Sequence, residues 1–270
     1  MRILLFLFLW LFSYWTQAQN IGQPGDTLVN YEDINGMKQG YWKKVYPSGK
    51  VAFEGYFKDN YPHGVFTRYH ETGEVKSIQD CDADLRYCRT RLFHTNKQLA
   101  AEGNYAEQMK DSTWSYYDRN GGLIKVENYA RGLKHGVFIS FYPNGEKAEE
   151  ENFIQDRKEG LWIQYYENGK KKLEAEFKNG KRNGKFYMYY DSGRLMVLGR
   201  YLNDLRDKRW IFYDDTGKEL INIDYVKGEA QNEAELYELQ KQQLLEFEQN
   251  KGKFEEPADY VRKKFMYDGY

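Results

Sequence analysis

The sequence predicts an all-β chain: an elongated antiparallel β-meander of eight 24-residue hairpin repeats, closed by a C-terminal capping helix. Three registers carry that prediction. A turn glycine recurs at Gly49, Gly73, Gly121, Gly145, Gly169, Gly193 and Gly217, with Lys97 in the one place where it is missing. Seven residues before each stands Trp42, Phe66, Thr90, Trp114, Phe138, Trp162, Phe186 or Trp210. Eight residues after stands Phe57, Cys81, Tyr105, Tyr129, Phe153, Phe177, Tyr201 or Tyr225. A fixed period with one supersecondary unit per period means an array whose units bury their apolar faces only against their neighbours.

The copy from Gly160 to Gly184 shows why each unit is a hairpin. Its first strand, about 161–166, is rich in aromatic and β-branched residues, which fit a pleated surface. Glu167-Asn168-Gly169-Lys170 follows as a tight turn, because Asn and Gly accept the positive φ that hairpin turns need. A second strand spans about 172–177, and Asn179-Gly180 turns the chain into the next unit. Alternation puts Trp162, Gln164 and Tyr166 on one face and Leu161, Ile163 and Tyr165 on the other. Aromatics on both faces require the sheet to coil over one of them. The ladder Trp42, Phe66, Trp114, Phe138, Trp162, Phe186 and Trp210 is the expected internal stack. Strands spaced ~4.8 Å apart give an advance of ~10 Å per unit.

The run Gly-x-Trp-x-x-Tyr-Tyr-x-Asn-Gly-Lys, a strand ending in Glu-Gly-x-Tyr/Phe, and a turn of the Asn-Gly-Lys-x-x-Gly kind resemble the MORN repeat in its bacterial variant form. Gly160 to Gly184 and Gly184 to Gly199 match well, and Glu54-Gly55-Tyr56 and Glu102-Gly103 supply the Glu-Gly signature. The likeness covers about residues 29–228, in proteins often labelled antitoxin-like. It implies a β-meander scaffold with protein or membrane contact and no catalytic residues to carry over.

Residues 1–18 read as a signal peptide: Arg2, an apolar run from Ile3 to Trp15, and small residues up to Ala18. The run is shorter than the ~20 residues that span a bilayer, which favours export over a membrane anchor. A signal peptide also fits a cytosolic antitoxin badly. Residues 19–39 form an N-terminal cap strand and 40–231 the eight repeats. Asn232 and Glu235 make a capping box for a helix over 232–251, with Leu236, Tyr237, Leu239, Leu244 and Phe247 on one face and Gly252 ending it. That helix would cover an otherwise adhesive strand edge or serve as a partner-binding element. Residues 252–270 are a tail.

Composition narrows the function. With 40 basic and 41 acidic residues the chain has no concentrated basic stripe, which argues against nucleic acid and against docking on anionic lipid. The cysteines Cys81 and Cys88 replace repeat residues on adjoining strands, and in an oxidising compartment they form a local structural disulfide. His63 and His135 share a solvated loop position. His70 and His94 share the position that Tyr46, Tyr142, Tyr166 and Tyr190 hold elsewhere; ~10 Å apart, they are too distant for one metal. His70 is expected to lie away from any bonded feature. No hydrolase elbow, phosphate loop or zinc-helix motif is present. Glu149-Glu150-Glu151 reads as a solvated acidic run. The expectation is an exported, non-enzymatic scaffold without cofactor or metal, binding a protein at the cell envelope. The alternative is a glycan or peptidoglycan binder that stacks sugars on Tyr46, Tyr142, Tyr166 and Tyr190.

Overall fold

The computed structural model describes residues 28–82 and 87–232 together with positions 237, 238, 241 and 245, whose backbone is helical. The leader at 1–18, most of the helix expected over 232–251 and the tail at 252–270 lie outside the described residues. All strands belong to one antiparallel sheet of 21 strands. Pairing follows chain order. Lys38–Val45 pairs with Val51–Lys58, Tyr61–Tyr69 with Val75–Cys81, Tyr87–Phe93 with Leu99–Ala106, and Met109–Tyr117 with Leu123–Ala130. Gly136–Phe141 then pairs with Lys147–Ile154, Gly160–Tyr165 with Lys171–Lys178, Lys181–Tyr189 with Leu195–Leu202, and Lys208–Tyr213 with Glu219–Val226. At the ends, Tyr31–Glu32 pairs with Lys38–Val45 and Glu229–Ala230 with Glu219–Val226, so the sheet is open.

Two kinds of turn make the meander. On one edge, as at Tyr166 to Lys170, the Gly169 amide donates to the Tyr166 carbonyl at 2.9 Å. On the other edge two-residue turns such as Asp59-Asn60 (φ 51° and 70°) and Asn203-Asp204 (φ 51° and 68°) have positive φ at both positions. These are type I′ turns, whose twist matches that of the flanking strands. Each strand pair also carries a bulge just before the glycine turn, at Arg68/Tyr69, Tyr116/Tyr117, Gln164/Tyr165 and Met188/Tyr189 among others. At Gln164/Tyr165 the extra residue is Lys172 on the opposing strand. A bulge leaves one residue unpaired and increases the local twist, and its recurrence gives every unit the same coiling.

The aromatic face forms its core without a second layer above it. Phe66, Trp114, Phe138, Phe186 and Trp210 are buried, whereas Trp42 and Trp162 are half-buried. Among Trp114, Trp162 and Trp210 the difference follows the residue on the preceding strand. Trp114 lies on Gly103 and Trp210 on Gly199; a Cβ at either glycine would stand 2.3 Å from the ring. So placed, each indole donates to a backbone carbonyl, Trp114 to Asn104 at 3.0 Å and Trp210 to Arg200 at 3.1 Å. In the strand before Trp162 the corresponding position is Glu151, which leaves no such flat bed. That indole donates instead to Glu149 Oε1 at 2.6 Å.

The core is most continuous in the C-terminal hairpins, where Ala175, Phe186, Val197, Tyr201, Trp210, Ile223 and Tyr225 form one cluster. Ring contacts run Phe186–Tyr201 at 5.3 Å, Tyr201–Trp210 at 5.0 Å and Trp210–Tyr225 at 6.1 Å, all edge-to-face. This arrangement suits the ring quadrupoles. Mid-array, Lys125, Glu127, Glu149 and Glu151 hold the positions occupied there by Val197, Gly199 and their equivalents, and the apolar cluster is interrupted.

These contacts rank three substitutions. Trp210→Ala is expected to destabilise by about 3–5 kcal/mol in urea melts, as buried aromatics do, and Trp162→Ala by clearly less. Gly199→Ala is expected to cost about 1–3 kcal/mol, because the ring beneath the new methyl has to move.

Candidate binding surface

The position shared by Tyr46, Tyr142, Tyr166 and Tyr190 has one geometric role throughout. Each hydroxyl donates to the backbone carbonyl 23 residues on: Tyr46 to Tyr69 at 2.8 Å, Tyr142 to Tyr165 at 2.7 Å, Tyr166 to Tyr189 at 2.7 Å and Tyr190 to Tyr213 at 2.8 Å. His70 and His94 make the same link, through Nε2 to the carbonyls of Phe93 at 3.1 Å and Tyr117 at 2.9 Å. The expectation that His70 touches nothing is therefore corrected: an imidazole replaces the phenol in the same bridge. These side chains sew each hairpin to the next, and their polar atoms are engaged by the sheet. Asp118 and Asp214 stand in this position too, but accept from their own turns, Asp118 from Gly122 at 2.9 Å and Asp214 from Lys218 at 2.9 Å.

A second recurrent feature covers the aromatic face. Lys38, Lys110, Lys134, Lys158, Arg182 and Arg206 recur at the repeat spacing, and each holds its cation over a ring. Lys110 lies 4.8 Å from the Trp114 centroid, Lys134 lies 4.9 Å from Phe153, Lys158 lies 5.1 Å from Trp162 and Arg206 lies 4.7 Å from Trp210. The stems shield apolar surface while the charges stay near water, and the cations are drawn to the ring faces. Nothing in the sequence reading singled out these residues; their 24-residue recurrence was the available signal.

The mid-array charges are paired among themselves. Glu127, 7% exposed, meets Lys125 Nζ at 2.6 Å and accepts from the Tyr129 hydroxyl at 2.8 Å. Burial pushes its carboxyl upward, but Lys125, Tyr116 and Tyr129 outweigh that and hold it below the ordinary carboxylate value. Burial likewise pushes the Tyr116 hydroxyl up and the Lys110 ammonium down. Glu151 pairs with Lys158 at 2.5 Å, and Glu149 accepts from both Trp162 and Gln164. The acidic run is thus divided: Glu149 and Glu151 serve the aromatic face. Glu150, on the opposite face, accepts from the Tyr165 hydroxyl at 2.6 Å. The same opposite-face pairing at Glu54 and Tyr69 pushes the Tyr69 hydroxyl up to about 12, chiefly through the hydrogen bond.

Exposed apolar residues gather along the type I′ edge: Tyr61, Met109, Leu133, Ile154, Leu202, Leu205 and Val226 are 39–55% exposed. A groove of about 430 Å³ opens at the C-terminal end of that edge, lined in part by Arg182, Tyr201, Arg206 and Tyr225. Cys81 and Cys88 are directly opposed on neighbouring strands and joined by a disulfide. Among the described residues no group of three or more His, Cys, Asp or Glu is placed to hold a metal, and no helix is long and apolar enough to cross a membrane.

An open single sheet of stacked hairpins, with its side chains committed to neighbouring units, defines a repeat-array protein. Residues 38–59, 62–80, 134–155 and 158–179 match the family model of the MORN repeat variant, and the chain is a MORN-repeat protein. No curated protein matches it. Among solved structures, the crystal structure of TcdB2-TccC3-Cdc42 aligns at 15% identity and a TM-score of 0.20. That alignment covers 71% of this chain and 12% of the other, and at that score it carries no argument.

Two measurements probe this geometry. Tyr166→Phe is expected to lose about 1 kcal/mol of stability, the usual net value of one hydrogen bond, and His70→Ala a similar amount. A His70→Ala melt indistinguishable from wild type would show that the imidazole bridge is idle. For Glu127 the folded carboxyl lies below its unfolded value, so its contribution is present above that unfolded value and lost as pH falls through the folded one. The wild type is therefore expected to lose more melting temperature on acidification than Glu127→Gln.

Proposed function

We propose that this chain is a non-enzymatic repeat scaffold that binds another protein, and that it does so after export to the cell envelope. In this reading the array holds eight units: the four matched segments, and four hairpins with the same bulge and the same turn position. The observation that carries the binding role is the row of exposed apolar side chains on the type I′ edge. Tyr61, Met109, Leu133 and Leu205 occupy one repeat position, and Ile154, Leu202 and Val226 another. Arg157, Lys178 and Lys181 interrupt the row between Ile154 and Leu202, and exposed apolar groups clustered on either side of them are of the kind that mark an interaction site. The charged clusters support a structural role for themselves, since Glu127, Glu149 and Glu151 are matched by Lys125, Trp162 and Lys158. The tyrosines on which the glycan alternative stacks sugars are half-buried and tied by their hydroxyls to the next hairpin's carbonyls, so the protein-binding reading is preferred. Export is supported by the apolar run after Arg2 and by the disulfide, which suits an oxidising compartment.

Fractionation of the producing cell tests both parts. Protein recovered from the envelope or medium is expected to begin at Gln19 and to bring down a specific partner, which Leu133→Glu with Leu205→Glu fails to retain while still folded. Recovery from the cytosol with its leader intact would contradict the export reading. A partner held equally by the double variant would contradict the edge as its site.

A further inference from the structure

Resting on the protein-binding reading above, we propose that the groove at Arg206 is a carboxylate-binding subsite for an acidic peptide segment of the partner. Its basis is an arginine of the cationic series that stands without the counter-charge found beside Lys110 and Lys158. On the aromatic face two of the earlier lysines have acids beside them: Glu127 lies 3.9 Å from Lys110, and Glu151 lies 2.5 Å from Lys158. The positions equivalent to these glutamates around Arg206 are Gly199 and Ile223. The turn below supplies Asp156 to Lys134, where its Oδ1 accepts the backbone amide at 2.7 Å. It supplies Asp204 to Arg182, with Nε to Oδ1 at 3.2 Å. For Arg206 the same turn position is Gly228. Three acidic positions of the repeat are therefore vacated around Arg206, as they are around Lys38 by Tyr31, Gly55 and Asn60, and among the described residues Arg206 has no ion pair.

The guanidinium is nonetheless held in place. It sits 4.7 Å from the Trp210 centroid and 5.2 Å from that of Tyr225, and Nη1 donates to the Tyr225 hydroxyl at 2.7 Å. That bond uses one of its five N–H donors. A planar fork oriented by rings, with donors to spare, matches a carboxylate in two-point geometry that a lysine does not offer. The groove floor is Tyr201 and Tyr225, both buried, and Leu205 and Ala230 add apolar contact at the rim. Such a site selects a carboxylate carried on a peptide over a free anion. Arg182 and Asp204 also line the groove and are paired with each other, which leaves Arg206 as its unpaired charge.

Hexaglutamate titrated into the full chain tests the assignment. Binding is expected to weaken with added salt. The dissociation constant is expected to rise about tenfold in Arg206→Gln, and to rise in Arg206→Lys too, since a lysine keeps the charge but loses the fork. Lys50→Gln, on the opposite edge, is expected to bind as wild type. Melting curves of the variants that match wild type keep the comparison free of unfolding. Undiminished binding by Arg206→Gln, or inorganic phosphate competing as well as the peptide, would overturn the assignment. If a native partner co-purifies with wild type and Arg206→Gln alike while hexaglutamate binds neither, the scaffold reading stands and this site falls.

Discussion

A single sheet with no layer packed above it has to bury its aromatics within its own thickness, and most of this structure answers that constraint. Three devices act together in a unit such as the one containing Trp210. Gly199 removes the side chain beneath the indole, so the ring lies flat on the backbone. Tyr201 and Tyr225 close its edges. Arg206 lies over its face, bringing a solvated charge where a second sheet would otherwise be needed. The periodic bulges let the sheet coil around this stack, because an extra residue per strand pair increases twist in the same sense each time.

The same constraint explains the sewing of one hairpin to the next. Strand pairing alone leaves the turn ends weakly held, since few side chains there reach a core. The phenols and imidazoles at the Tyr46 position bond to the next hairpin's carbonyl, and turn asparagines add a parallel set: Asn144 donates to Glu167 at 2.8 Å and Asn168 to Asp191 at 3.0 Å. Where Asp118 replaces the phenol, the bridge to the following hairpin is missing, and the next unit's strands are those flanked by the buried Glu127 cluster. The array thus has an apolar, continuous C-terminal part and a polar middle. Of the exposed apolar residues on the type I′ edge, Leu202, Leu205 and Val226 fall in the first of these, as does Arg206.

The period of the repeat made the hairpins, their turns and the disulfide pair legible in the sequence, because each depends on residue type at a fixed spacing. Trp162 illustrates where that reasoning stops. It occupies the same register as Trp210, yet its burial is set by the residue on the neighbouring strand, Glu151 against Gly199, which register alone does not weigh. Tyr166 was equally visible as a recurring aromatic, but whether a phenol offers its ring to a ligand or its hydroxyl to a carbonyl depends on where the next unit's backbone lies. The cations over the rings were missed for a related reason: a Lys or Arg just after a turn reads as a solvated charge until the sheet folds it back over an aromatic. Glu149 and Glu151 reversed the expectation most fully, since a run of acids in a strand places alternate members on opposite faces.

The central claim is that each unit is held only by its neighbours, through a core and bridges that repeat in register. Removing residues 136–159 joins His135 to Gly160 and preserves every register, so thermal unfolding of that shortened chain followed by circular dichroism is the direct measurement. A cooperative transition with the β-sheet signal intact, at a melting temperature near that of the full chain, is the expected result. Loss of the sheet signal, or a broad non-cooperative melt, would mean that the array depends on long-range contacts that nearest-neighbour packing does not supply.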